Sequence, residues 1–184
     1  NGLVTAVYVS KPSIIKYKEF KKFKNFAIAK HSQRAIDFHL NSNFPKENFS
    51  EIYTRYSKAL LGIGGAEGSD KANDLELELI ALQNPYTDDM SSGIEILTLY
   101  QGRPQAFTTL NVFERSNADL RVNSYVVKSD EKGIAKIKVE NDNAYLIDNV
   151  ILRPANDKLL KDKGVIWESL WAALTFGVIR ANGL

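Results

Sequence analysis

The feature that most constrains the fold is a dense apolar run late in the chain, from Val165 to Phe176, which holds both tryptophans. A run this dense has to be buried, because an exposed apolar patch of that size would promote aggregation. It closes a series of short alternating segments. We therefore interpret it as the final strand of an all-β body.

Short segments in which apolar and polar residues alternate make up much of the chain before this run. Such alternation is typical of strands with one buried face. The clearest segments are Leu3–Val9, Leu75–Leu79, Ile94–Tyr100, Thr108–Phe113, Ser124–Val127, Ile134–Val139 and Tyr145–Leu152. Their spacing, with turn signals between them, predicts a β-sandwich. We expect a smaller β-rich part over residues 1–88 and a C-terminal sandwich over residues 89–184.

Three connections have recognisable chemistry. Gln101–Pro104 predicts a tight turn, since Gly102 accepts a positive φ and Pro104 closes the turn. Ser129–Gly133 predicts a hairpin turn, in which Asp130 bonds its own backbone and Gly133 takes the left-handed position. The charged stretch Asn156–Gly164 predicts a loop.

Two segments leave their secondary structure open. Within residues 13–48, aromatic residues recur every three positions from Tyr17 to Phe26, which fits a helical turn and equally a loop pinned by its aromatic side chains. Phe49–Ile63 fits both a helical face and a strand. Its tyrosine and threonine content favours the strand.

Composition excludes several classes of protein. The chain has no cysteine, which excludes disulfides and thiolate chemistry, and it has no Gly-x-Ser-x-Gly elbow. No apolar run approaches the roughly 20 residues that a membrane span needs. The first 40 residues carry eight Lys and Arg against two Asp and Glu, a net charge of +6. We interpret this excess as a solvated lysine face, and we expect no nucleic-acid binding because no RNA-binding signature accompanies it.

Several blocks of the sequence carry a resemblance to a known family. The blocks are Tyr53–Leu61, Leu75–Tyr86, Leu99–Pro104, Ser129–Gly133, Tyr145–Asp148 and Trp167–Phe176. In this order they resemble the bacterial DUF4198 family, once labelled a NikM-like periplasmic component of nickel or cobalt uptake. Members tend to begin with a His-containing segment, whereas this sequence starts at Asn1-Gly2.

The resemblance implies an exported protein, periplasmic or otherwise extracytoplasmic, whose C-terminal sandwich is immunoglobulin- or transthyretin-like. It implies no enzyme activity. It also implies a link to nickel or cobalt uptake, with a membrane transport component or another cell-envelope protein as partner. The sequence opens at Asn1 without Met and without a signal peptide, so we expect it to be a processed or trimmed form.

The candidate ligands are few. His31 and His39 are the only histidines, and they are the residues we assign to a nickel or cobalt site. On a helix they would lie about two turns apart, too far to share one ion unless the segment folds back. A hard cation could also bind among Asp70, Asp74, Asp88 and Asp89.

Two pairs of residues suggest chemistry but have simpler explanations. Glu76 and Glu78 share one face of a strand, and we interpret them as a solvated edge. Trp167 and Trp171 could form a sugar-stacking surface, but their place in an apolar strand makes them predicted core residues.

The expected function is a non-catalytic extracytoplasmic binding or accessory protein, linked to nickel or cobalt uptake and not membrane-spanning. The alternative is a structural or adhesion-like β-sandwich that binds a protein or a glycan.

Overall fold

Strands form most of the fold. A computed structural model describes residues 1–178, of which 49% are in strands and 15% in helices, and the strands form two sheets. The strands are β1 (Gly2–Val9), β2 (Ser13–Glu19), β3 (Glu47–Ile63), β4 (Leu77–Ala81), β5 (Ile94–Tyr100), β6 (Arg103–Pro104), β7 (Thr109–Ser116), β8 (Val122–Lys128), β9 (Ile134–Ile137), β10 (Asn143–Pro154) and β11 (Trp167–Gly177). The helices are α1 (Phe20–Ala29), α2 (Gln33–Asn41) and α3 (Asp157–Lys163).

The larger sheet has seven strands in the order β1-β3-β11-β10-β7-β8, and β2 also pairs with β3. The smaller sheet has four strands in the order β4-β5-β6, with β9 also paired to β5. Antiparallel registers link Tyr145 to Glu114 in the larger sheet and Leu79 to Thr98 in the smaller one. The all-β prediction is confirmed, with two sheets. The closer likeness to immunoglobulin or transthyretin domains stays a prediction.

The chain forms two compact units, each built from separate stretches of sequence. Among the described residues, the helical unit comprises residues 9–55 and 150–171, and the strand unit comprises residues 1–8, 56–149 and 172–178. The long strands β3, β10 and β11 each contribute one part to each unit. The predicted boundary at residue 88 divides the sequence into two continuous parts, whereas each unit here is discontinuous in sequence. That boundary stays a prediction.

The strand unit has an aliphatic core typical of packed sheets. Its fully buried side chains include Ile94 and Ile96 of β5, Ile137 of β9 and Leu110 of β7. Alternation along the strands turns these residues inward. The core therefore comes from the alternating pattern, which is why the strands β5, β7, β9 and β10 fall on the predicted segments.

The turn at Ser129–Gly133 has the predicted chemistry but not the predicted role. The Asp130 carboxylate accepts hydrogen bonds from the backbone of Lys132 and Ile134, both at 2.9 Å, and Gly133 has a φ of 77°. A Cβ at Gly133 would come within 2.8 Å of the Gln105 nitrogen, so glycine is also required sterically. The hairpin prediction is wrong. β8 pairs with β7 and β9 pairs with β5, so this turn passes the chain from one sheet to the other.

The segments left open from sequence are now assigned. Residues 20–41 form α1 and α2, and β3 confirms the strand favoured for Phe49–Ile63.

The predicted loop at Asn156–Gly164 is instead the helix α3. The Asn156 side chain accepts from the Leu159 nitrogen at 2.9 Å, and Gly164 ends the helix with a φ of 63°. An Asn cap and a left-handed glycine are standard helix boundaries. Within residues 1–178 no helix is both long and apolar enough to cross a membrane.

Candidate functional site

Aromatic side chains build the core of the helical unit. Tyr17, Phe23, Phe49 and Trp167 are buried together, and Phe23 lies 5.0 Å from the Trp167 ring, centre to centre. Helix α1 contributes Phe23 and Ala27 to this core, which are spaced to lie on one helical face. The three-residue aromatic spacing within residues 13–48 therefore reflects core packing.

His39 is part of this core. Its Nδ1 accepts a hydrogen bond from Trp167 Nε1 at 3.0 Å, and its Nε2 lies 3.1 Å from the Pro45 carbonyl oxygen. Since the indole can only donate, Nδ1 must be the acceptor and Nε2–H the donor, which makes the ring neutral. Burial lowers the pKa of His39, which also favours the neutral ring.

His31 lies in a different environment. It is exposed, with a φ of 56°, in the turn between α1 and α2. A metal ion at His39 would have to displace one of its two hydrogen bonds. No group of three or more His, Asp or Glu side chains that could hold a metal ion occurs in the described residues 1–178. The His31 and His39 site stays a prediction, as does a hard-cation site among the aspartates.

A row of hydrogen-bonded polar groups in the same unit begins at Tyr17 of the aromatic core. Glu51 of β3 accepts from the Tyr17 hydroxyl at 2.8 Å and from the Ser169 hydroxyl, and both donors are buried. Burial raises the pKa of Glu51, and burial with the nearby Glu51 raises the pKa of Tyr17. The Ser169 hydroxyl also accepts from Trp171 Nε1 at 2.9 Å. The row therefore fixes the orientation of the Trp171 ring.

At the end of this row two cationic side chains lie over one indole, an arrangement that we name the Trp171 cluster. Lys30 Nζ is 4.9 Å and Arg55 Cζ is 5.4 Å from the Trp171 ring centre, and the Phe26 ring stacks on it at 5.6 Å and 12°. Arg55 also lies over the Tyr53 ring at 5.3 Å. Trp171 is half-buried and Arg55 is exposed. The core prediction is thus confirmed for Trp167, whereas Trp171 is only partly buried.

The charge of the helical unit matches this cluster. Its residues include fourteen Lys and Arg against seven Asp and Glu, a net charge of +7. The rest of the chain has ten against fifteen, a net charge of −5. The cationic side chains at Trp171 thus belong to the basic unit of the chain, and a basic surface attracts anionic ligands.

The strand unit contains a second cluster of a different type, in which a lysine is buried between two carboxylates. Lys58 Nζ of β3 lies 2.9 Å from Asp70 Oδ1 and 3.0 Å from Glu78 Oε1. The three side chains are at most 1% exposed. Asp70 also accepts from the backbone nitrogens of Lys71 at 2.9 Å and Ala81 at 3.0 Å.

Glu78 is fixed by the segment that precedes its strand. Its carboxylate accepts from the Asn73 backbone at 2.9 Å, from the Asn73 side chain at 3.1 Å and from the Leu75 nitrogen at 3.4 Å. The solvated-edge prediction for Glu76 and Glu78 is therefore wrong at Glu78. All five residues of β4 are buried, so the alternation of apolar and acidic residues here does not separate a solvent-exposed face from a buried one.

Comparison with known proteins then places the chain. A family model described as a domain of unknown function, DUF4198, matches residues 1–151. The chain belongs to the DUF4198 family. The match includes Lys30, Arg55 and the whole Lys58 cluster, whereas Trp167–Phe176, which carried part of the sequence resemblance, lies outside it. No curated protein and no solved structure matches this DUF4198 chain.

Proposed function

We propose that this DUF4198 chain is a non-catalytic, extracytoplasmic binding protein and that its helical unit binds an acidic glycan at the Trp171 cluster. The observation that carries the proposal is the pair of cationic groups, Lys30 and Arg55, over one half-buried indole. An envelope location, periplasmic in particular, is supported by the family resemblance.

The chemistry of the cluster suits a sugar acid. The guanidinium of Arg55 presents a planar set of donors that matches a carboxylate, and Lys30 adds a point charge. The accessible part of the Trp171 ring offers an apolar surface for a sugar ring. Because the indole N–H already donates to Ser169, the contacts that remain for a ligand are charge and stacking.

A link to nickel or cobalt uptake, with a membrane transport component as partner, is the function that the resemblance implies. Equilibrium dialysis with both ions tests it. Binding tighter than about 100 μM, equivalent to roughly 5.5 kcal/mol, that His31→Ala abolishes would favour uptake over glycan recognition.

The glycan proposal is tested by titrating the full chain with polygalacturonate and with neutral dextran, using tryptophan fluorescence and calorimetry. Polygalacturonate should bind and dextran should not. Arg55→Gln should weaken binding by about tenfold, equivalent to about 1.4 kcal/mol, and added salt should weaken it further.

Lys24→Gln is the matched control for charge. Lys24 is an exposed lysine of α1 two residues before Phe26, which places it on another side of the helix. It should bind polygalacturonate almost as well as the unaltered chain. Equal losses in Lys24→Gln and Arg55→Gln would mean that general positive charge, not the Trp171 cluster, attracts the polymer.

A further inference from the structure

The Lys58 cluster has the groups required for a covalent cross-link. We infer that Lys58 and Asp70 join through an amide bond, formed once within the folded chain, with Glu78 as the proton carrier. The amine nitrogen lies 2.9 Å from one oxygen of the Asp70 carboxyl and 3.1 Å from the other, so the carboxyl carbon that joins these oxygens is close to it. Its contact with Glu78 is 3.0 Å.

Burial favours the cross-link over a permanent ion pair. One cation and two anions here are almost completely shielded from water, and buried charges are costly even when paired. Transfer of one proton from Lys58 to Asp70 leaves an amine beside a carboxylic acid, both neutral. Two such groups held in contact react as if at very high concentration. The same exclusion of water disfavours hydrolysis of the product.

The neighbouring groups supply the remaining chemistry. The backbone N–H groups of Lys71 and Ala81 donate to the two Asp70 oxygens, where negative charge develops as nitrogen attacks the carbon. Glu78 contacts the attacking nitrogen, so it can accept a proton from it. Backbone and side-chain donors of Asn73 hold that carboxylate in place.

The step balances without any other reactant. The Lys58 nitrogen forms a bond to the Asp70 carboxyl carbon, and one carbon–oxygen bond of Asp70 breaks. Two protons leave the ammonium nitrogen: one passes directly to Asp70 and the other passes through Glu78 to the departing oxygen. The departing oxygen leaves as one water molecule, and Glu78 returns to its starting state. No redox change occurs.

The bond would tie β3 to the segment that leads into β4. It closes a covalent ring from residue 58 to residue 70 within the strand unit, and a short ring of this kind restricts the unfolded chain much as a disulfide does. The chain has no cysteine, so no disulfide supplies that restriction.

Denaturing mass spectrometry of the full chain tests the inference directly. The measured mass should be lower than the sequence mass by one water, and protease digestion should release a branched peptide that joins Lys58 to Asp70. A mass equal to that of the sequence would overturn the inference. The pair Lys138 and Glu140 is an internal control, because its contact is also 3.0 Å but its side chains are 87% and 59% exposed. It should yield no branched peptide.

Variants then test the role of Glu78. Glu78→Gln keeps the shape of the side chain but cannot accept the proton, so bond formation should slow by about 10²–10⁴-fold and purified protein should have the unlinked mass. Glu76→Gln, two residues earlier and immediately before β4, should keep the water loss. If Glu78→Gln is linked as fully as the unaltered chain, Glu78 is not the proton carrier. If this variant does not fold, the mass of the unaltered chain still decides whether the bond exists.

Discussion

The two units keep polar groups in their interiors in opposite ways. In the helical unit the buried polar groups are mainly neutral donors and acceptors, as in the Trp167–His39 bond, while cationic groups such as Arg55 stay exposed. In the strand unit a lysine is buried and held by two carboxylates. The exposed cationic groups of the helical unit and the buried ion cluster of the strand unit therefore have separate roles in this chain.

The difference is visible along one strand. In β3, Glu51 lies in the helical unit and is bonded by two hydroxyl groups, whereas Lys58 lies in the strand unit and is bonded by two carboxylates. A lone buried carboxylate favours its neutral form, since burial is the largest influence on its pKa. A lysine between two carboxylates has partners for its charge. Removing the charged group at Lys58 should therefore destabilise the strand unit. Removing the carboxylate at Glu51 should instead become favourable for the stability of the helical unit as the pH rises.

The largest effect is expected from Lys58→Met in the strand unit. This change keeps the length of the side chain but removes the nitrogen that Asp70 and Glu78 contact in the interior, which should lower the free energy of unfolding by about 3–5 kcal/mol. It also removes the proposed cross-link. Urea unfolding gives the measurement. Lys138→Met, at an exposed lysine, should stay within about 0.5 kcal/mol. An equally small effect at Lys58 would mean that the buried ion cluster does not stabilise the strand unit.

A smaller effect is expected from Trp171→Ala in the helical unit. Trp167 is fully buried, so Trp167→Ala should lower the free energy of unfolding by about 3–5 kcal/mol. Trp171 is half-buried, so Trp171→Ala should lower it by about 1–2 kcal/mol, in proportion to the area that it buries. Urea midpoints of the two variants give the comparison. Equal losses would show that Trp171 is a core residue and that its ring is not accessible to a ligand.

The sequence predicts well what local chemistry determines. The strands β5 and β10, the strand at residues 167–177 and the Asp130 turn follow from alternation and from turn residues a few positions apart. Helix α3 has local signals as well, Asn156 before it and Gly164 after it, but its charged composition is also typical of a loop, which is why the sequence predicts a loop there.

The clusters could not be predicted, because they depend on residues far apart in the chain. His39 and Trp167 are 128 positions apart and the Ser169 and Glu51 pair 118, and no local pattern links them. Lys58 and Glu78 are only 20 positions apart, yet the alternation around Glu78 predicts that its side chain lies on a solvent-exposed face of the strand. What buries Glu78 is the packing of both faces of β4, which is a property of the tertiary structure.

Glu51→Gln is expected to change how stability depends on pH, and the sign of that change decides the interpretation of the helical unit. The pKa of Glu51 is raised above its ordinary value of 4.5, mainly by burial. The folded state therefore binds this proton more tightly than the unfolded state, so the stability that Glu51 contributes falls as pH rises above 4.5 and through the raised pKa. Glu51→Gln cannot titrate. Its stability relative to the unaltered chain should therefore rise with pH, by about 1.4 kcal/mol for each unit by which the pKa is raised.

Urea midpoints from about pH 4 to about pH 8 give the curve, with Glu47→Gln, an exposed residue of the same strand, as control. A relative stability that falls with pH would mean that Tyr17 and Ser169 hold Glu51 as an anion, and the helical unit would then contain a buried charge as the strand unit does.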